Sequence, residues 1–198
     1  MKIGVLGGTF NPIHLAHMHI ARQYREYFAL DRILLIPTST PPHKKAIGLA
    51  AAHHRLEMCR LAIGDEPGFE VCDYEIERGG ISYTLDTLRY LQGEYHGAQI
   101  CLLMGADMFL TIQNWRKPKE IFELTILCAC AREKGEYDRM LRHKPVLEEM
   151  GAKCELVDSE PTPMSSTDIR KMINDGVDVV GYLNPAVWRY ICEHKLYM

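Results

Sequence analysis

The chain has 198 residues, 47% of them hydrophobic and 25% charged, and 23 Lys and Arg against 26 Asp and Glu leave a formal net charge of −3. That length suits one domain with a full core, and the charge supplies no overall attraction to nucleic acid or an anionic membrane, so a bound polyanion must meet locally gathered cations. Met1 and Lys2 lead straight into an apolar run and no stretch approaches about 18 apolar residues, so neither a secretory signal nor a transmembrane helix is expected.

In chain order, β-type runs fall at 2–7, 32–37, 69–77, 99–105, 124–131 and, more weakly, 153–158. Those at 3–6, 33–36 and 100–104 are continuously apolar, as strands buried on both faces are. Helical spacing lies between them: 15–28, with Ala16, Ile20 and Tyr24 on one side; 52–63, with Leu56 and Cys59; and the segment from Tyr83, with Leu85, Leu88 and Leu91 and Thr84 as the expected N-cap. Two more helices are expected at 165–176 and 184–196, the second with Asn184 at the N-cap and Pro185 at the first helical position. The Pro-broken stretch 38–48 is a loop of functional length, and the charged 133–145 is expected to be a surface excursion.

Strands alternating with helices predict an α/β protein with a mostly parallel sheet. The seven cysteines form no CxxC pair, and Cys128 and Cys130, at i and i+2 of a strand, read as small core residues. Reduced thiols of a cytoplasmic protein are expected, not a disulfide or zinc framework.

The first strand runs into Gly7, Gly8, Thr9 and Phe10, then Asn11, Pro12, and three histidines, His14, His17 and His19. The turn after the first strand of a doubly wound sheet is a favoured ligand position, where backbone N–H groups and a helix N-terminus attract phosphate. Two common phosphate motifs are excluded: from Gly4, a dinucleotide fingerprint would need glycine where Leu6 and Thr9 stand, and no Gly-Lys-Ser/Thr follows. His14 and His17, three apart at a helix start, project to one side; His19 is left on the surface. Near the other end, Ser165, Ser166 and Thr167 precede a helix that carries Arg170. A Ser/Thr run there is by itself the mark of an N-cap, and the in-register arginine together with the N-terminal motif lends it a second meaning.

"GGTFNPIHLAH" (7–17) resembles the nucleotide-binding signature of nucleotidyltransferases with a His/Thr-x-Gly-His motif, and "MSSTDIR" (164–170) resembles their Ile-Ser-Ser-Thr-x-Ile-Arg signature. "IPTSTPPHK" (36–44), "HRLEMCRLAI" (54–63), "ISYTLDTL" (81–88) and "GADMFLTIQNW" (105–115) are similar to bacterial nicotinate-nucleotide adenylyltransferases, over essentially the whole chain. Asn11 stands where Asp is frequent in that family, Ala16 where the motif has Gly, and Arg132, Glu133, Lys134 and Gly135 where a basic pair followed by Pro-Gly is common.

The resemblance implies a Rossmann-like nucleotidyltransferase fold, with helices on both faces of the sheet, as one domain over 1–198 with a helical part from about 159. It implies adenylyl transfer from ATP to nicotinate mononucleotide, yielding deamido-NAD and pyrophosphate. His14, His17, Lys44 and Arg170 are then the catalytic candidates. Gly7, Gly8, Thr9, Phe10, Gly105, Asp107, Ser165, Ser166 and Thr167 join His14, His17 and Arg170 around ATP. Lys44, Tyr83, Thr84, Leu85 and Trp115 are the candidates for nicotinate mononucleotide, with Trp115 stacking on the pyridine ring. Magnesium is expected to arrive with ATP, no protein metal site is implied, and a homo-oligomer is compatible with the family. The rivals are another adenylyltransferase, acting on phosphopantetheine or nicotinamide mononucleotide, a regulator that binds nucleotide without catalysis, and a metal-dependent phosphohydrolase using His14, His17 and Asp107. Tyr83, Thr84 and Trp115 argue against the phosphopantetheine enzyme, and the histidine spacing is neither a HExxH nor a two-carboxylate metal set.

Overall fold

The computed structural model describes residues 1–41, 48–131, 133–159 and 164–198. Strands β1 (Lys2–Gly8), β2 (Arg32–Pro37), β3 (Phe69–Val71), β4 (Gln99–Gly105), β5 (Ile126–Ala131) and β6 (Lys153–Asp158) form one sheet in the order β3-β2-β1-β4-β5-β6. The pairs β1–β4, β4–β5 and β5–β6 are parallel. This is the doubly wound order, which reverses direction at β1, and ligands of such sheets bind beyond the carboxyl ends of the strands near that reversal. The expected burial holds in β2 and β4 and in β1 as far as Val5, where Leu6 is half-buried and Gly7 exposed; β5 is closed from Leu127, whereas β6, an edge strand, is buried only at Cys154. Cys128 and Cys130 are core residues, and all seven cysteines are free.

The helices are α1 (Leu15–Tyr27), α2 (Ala52–Ile63), α3 (Tyr74–Arg78), α4 (Thr84–Glu94), α5 (Ala106–Phe109), α6 (Pro118–Leu124), α7 (Glu136–Glu149), α8 (Ser166–Asn174) and α9 (Pro185–Glu193). Among the described residues no helix is long and apolar enough to cross a membrane.

Three segments differ from the sequence expectation. The run 69–77 is a strand only as far as Val71. Asp73 then caps α3, its carbonyl accepting from the N–H groups of Ile76 and Glu77 at 2.9 Å, and Glu75 and Glu77 fall in the first turn, where the helix dipole favours acid. The charged 133–145 segment belongs to α7, whose buried Met140 and Leu147 lie seven apart on one face beneath a solvated one. Thr84 is the first helical residue of α4 and not its cap. Tyr83 takes that position, with its carbonyl accepting from Asp86 N at 3.0 Å.

The chain forms two compact units. One comprises Met1–Leu6, Gln23–Leu34 and Tyr83–Thr162, and the other Gly7–Arg22, Leu35–Ser82 and Pro163–Met198. In the first, the hydroxyl of buried Tyr24 donates to the Met104 carbonyl, tying the end of α1 to β4. In the second, α9 carries the expected Asn184 cap, with Oδ1 accepting from Ala186 N at 2.8 Å, while the Leu15 N–H donates to the Tyr182 carbonyl at 2.9 Å.

Candidate active site

The first signature turns sharply after β1. Phe10 adopts φ 46°, a left-handed conformation that a non-glycine residue accepts only when its surroundings hold it. What holds it is packing. Phe10 is buried, and its ring lies over Gly8 so closely that a Cβ there would sit 2.9 Å from the ring carbons. Gly7 differs, because a Cβ there would meet nothing within 4 Å.

His14 occupies the N-cap of α1. Its carbonyl accepts from His17 N at 3.0 Å and Met18 N at 3.4 Å. Its own N–H, a donor that helix geometry leaves without a partner, donates to His17 Nδ1 at 3.2 Å. His17 thus does what Glu or Gln does in a capping box, reaching back from the third helical position. The consequence is chemical: Nδ1 is committed as an acceptor, so the neutral imidazole carries its proton on Nε2. Two more contacts immobilise the ring. The His14 ring lies with its centroid 3.7 Å away, and Phe10 meets His17 edge-on at 5.2 Å. His19 is exposed, as expected.

His14 is 5% exposed, and burial pushes its pKa down to about 4. Its Nδ1 is buried without a hydrogen-bond partner among the described residues, a cost of roughly 1–3 kcal/mol of the kind found at functional sites. The folded state keeps His14 neutral where an unfolded histidine binds a proton. Stability linked to His14 is therefore fully present above about pH 6.5 and is lost as pH falls toward 4. Urea unfolding across this window should show the parent losing up to about 1.4 kcal/mol per pH unit more than His14→Asn. Parallel profiles would contradict a buried neutral His14.

Asn11, 6% exposed, ties this turn to the second signature. Its backbone carbonyl accepts from Arg170 Nη1 at 2.7 Å, and the Pro12 carbonyl accepts from Ser166 Oγ at 2.9 Å. The Asn11 side chain works in both senses: Oδ1 accepts from Ala50 N at 3.0 Å and from the Tyr197 hydroxyl at 2.8 Å, while Nδ2 donates to the Gly48 carbonyl at 3.0 Å. A carboxylate could not donate to Gly48, so the asparagine here fits its surroundings better than an aspartate would. Ala16, a second departure, is a buried residue at the second position of α1 with no positive φ, so the backbone places no demand for glycine there.

The hydroxyls of the second signature are mostly engaged within the protein. Ser165 caps α8 in a reciprocal box with Asp168, Ser166 holds Pro12, and Thr167 Oγ1 accepts from Arg170 Nη2 at 3.2 Å. Arg170 borders a cavity of about 530 Å³ together with Thr167, Lys171, Ala50, Lys195 and Tyr197.

Arg55 is the residue that sequence reasoning overlooked. It is fully buried, and its guanidinium donates to three backbone carbonyls: Ala50 at 3.0 Å through Nε, Thr9 at 2.8 Å through Nη1 and Ser39 at 2.9 Å through Nη2. The available signal was a cation on the apolar side of a helix, at the position before Leu56.

The remaining candidates lie in the other unit. Tyr83 caps α4, so the N–H groups of Thr84 and Leu85 open the helix, and the Leu85 side chain belongs to the core. Half-buried Trp115 follows a 3₁₀ turn, Ile112–Asn114. Its neighbour Arg116 lies 4.5 Å over the Tyr83 ring and 4.0 Å from Asp86, which brings the tryptophan segment to the start of α4. Gly105 ends β4 and caps α5, and Asp107 is exposed in the first turn of α5. Lys44 and Arg132 lie outside the described residues. Among those residues no group of three or more His, Cys, Asp or Glu is placed to hold a metal ion.

The Cytidylyltransferase-like family model matches residues 5–172. The chain is 38% identical to the "Probable nicotinate-nucleotide adenylyltransferase" of Citrifermentans bemidjiense, over 100% of this chain and 99% of that protein. It is 37% identical to the protein of the same name from Geobacter sulfurreducens, over 100% and 98%. Among solved structures, it is similar to Plasmodium falciparum nicotinic acid mononucleotide adenylyltransferase complexed with NaAD, with a TM-score of 0.77 and 19% identity over 99% of this chain and 97% of that one. At that identity the likeness is one of fold.

Proposed function

This chain belongs to the nicotinate-nucleotide adenylyltransferases of the Cytidylyltransferase-like family, and from that premise we propose how its residues transfer the adenylyl group of ATP to nicotinate mononucleotide. An oxygen of the mononucleotide 5′-phosphate attacks the α-phosphorus of ATP. The bond to the bridging oxygen breaks, pyrophosphate leaves, and deamido-NAD forms. The nucleophile is already ionised, so no side chain needs to remove a proton. The protein's task is to bring polyanions together and to stabilise charge on the transferred group.

The observation that carries this reading is the joining of two signatures more than 150 positions apart, through Arg170 to Asn11 and Ser166 to Pro12. His17 presents Nε2–H to the α-phosphate, and neutral His14 stands beside it. Gly7 gives the nucleotide access to the turn, since the fold itself makes no steric demand for glycine there. Arg170 and the first turn of α8 receive the β- and γ-phosphates. Gly105 and Asp107 are assigned to ATP, and Lys44 to the mononucleotide phosphate or ATP. Magnesium is assigned to the nucleotide's own phosphates, which bring it to the site. When bound it neutralises phosphate charge.

Trp115 supplies a ring face for the pyridine, and the N–H groups of Thr84 and Leu85 receive the nicotinate carboxylate at the N-terminus of α4. A carboxylate accepts hydrogen bonds only, whereas the amide of nicotinamide mononucleotide turns a donor toward donors. With ATP, magnesium and each mononucleotide, kcat/KM should favour the acid by about 10- to 100-fold, read from both pyrophosphate and dinucleotide. A higher value for the amide refutes the assignment of α4.

A further inference from the structure

The segment that follows α9 is folded with an effort its length does not demand. Lys195 and Tyr197 both adopt left-handed backbone conformations, φ 51° and 65°. Each is unfavourable for a residue with a side chain, and such strain persists only where surrounding contacts impose it. The segment is tied back to α9, with Lys195 N donating to the Cys192 carbonyl at 3.2 Å and Leu196 N to the Ile191 carbonyl at 3.0 Å. The result is to aim one group: the Tyr197 hydroxyl donates to Asn11 Oδ1 at 2.8 Å. Burial pushes the phenol pKa well up, which keeps this hydroxyl a neutral donor at neutral pH.

Asn11 is where that bond acquires a use. The same residue's backbone carbonyl holds Arg170 Nη1 at 2.7 Å, and its side chain is fixed on the other side by Ala50 N and the Gly48 carbonyl. We propose that Tyr197 is a positioning residue for adenylyl transfer, fixing Asn11 and thereby the arginine that receives the polyphosphate of ATP. This rests on the role given to Arg170 above. Tyr197, Lys195 and Arg170 also border the same cavity of about 530 Å³, so the segment after α9 forms a wall of the space the arginine faces.

The test compares the parent with Tyr197→Phe, Arg170→Lys and the double variant, assayed with ATP, magnesium and nicotinate mononucleotide well below each protein's melting temperature. Phenylalanine keeps the ring and removes only the hydroxyl. Tyr197→Phe should raise KM for ATP about 3- to 10-fold and leave KM for nicotinate mononucleotide within twofold. Because Tyr197 acts through Arg170, the double variant should be no worse than Arg170→Lys by more than twofold. A merely structural hydroxyl would shift both KM values together or add its loss to that of Arg170→Lys, and either result overturns the proposal. So does a Tyr197→Phe enzyme with unchanged KM for ATP, which leaves the reading of Arg170 standing if Arg170→Lys is impaired. An Arg170→Lys enzyme equal to the parent overturns both.

Discussion

His17→Ala is expected to lower kcat by about 10²–10³-fold while changing ATP binding less, the scale of losing one preorganised donor aimed at developing charge. The geometry explains why this donor is unusually well prepared. The His14 N–H occupies Nδ1, the His14 ring lies against one face and Phe10 meets the edge. The ring therefore has no freedom to search, and its tautomer is set before substrate arrives. Alanine removes the donor and also half of the cap of α1, so its effect alone would mix chemistry with stability. His17→Gln separates them. Glutamine at the third helical position can accept from the N-cap N–H through its side-chain oxygen, so this variant should unfold at nearly the parent's urea midpoint. Its amide does not reproduce Nε2–H, so turnover should still fall by at least about tenfold. Turnover of His17→Ala within tenfold of the parent would remove His17 from the mechanism.

How far the site could be read from sequence depended on whether its signals were local. The helix from Leu15 and the Asn184–Pro185 start of α9 are short-range patterns, and each is found where its residues imply, whereas Gly7 and Gly8 still belong to β1 and the turn follows them. The 69–77 run misleads because alternating Tyr74, Glu75, Ile76 and Glu77 mimic a strand, and only the cap at Asp73 decides for a helix. In α7 the charge density conceals two apolar positions seven apart. The site itself divides along the same line. His14 and His17 stand out as candidates only through their spacing together with the glycine-containing stretch before them, and their division of labour is not legible there, because it follows from one main-chain N–H finding one ring nitrogen. Asn11 was visible as a departure from the family pattern, yet its reason lies with Gly48, Ala50 and Tyr197, up to 186 positions away. Arg55 gave one local sign, a cation on the apolar side of α2, but its role could not be read there, since its partners are carbonyls, which every residue has.

Arg55 carries the largest expected effect on stability. Its side chain is wholly buried, and three carbonyls from separate stretches, Thr9, Ser39 and Ala50, take their donors from one planar guanidinium. Arg55→Met retains volume but removes the guanidinium donor from each of those carbonyls, each at a cost of roughly 1–3 kcal/mol in a buried position. The losses are not independent, and relaxation or entering water offsets part of them, so the net destabilisation should be about 3–5 kcal/mol. Arg55→Lys keeps the charge but not the fork. One ammonium cannot reach three carbonyls arranged around a plane, and about 2 kcal/mol should be lost. The lysine variant carries the functional test. Thr9 belongs to the glycine turn, while Ser39 and Ala50 flank the stretch that contains Lys44, so the same guanidinium fixes the turn and both approaches to that stretch. Arg55→Lys, assayed where it is fully folded, should therefore lose at least about tenfold in kcat/KM, since misplacing binding groups by a fraction of an ångström is enough. Urea unfolding followed by tryptophan fluorescence measures the first effect. An Arg55→Met midpoint equivalent to less than about 1 kcal/mol of loss would mean that water or neighbouring donors serve those carbonyls equally well.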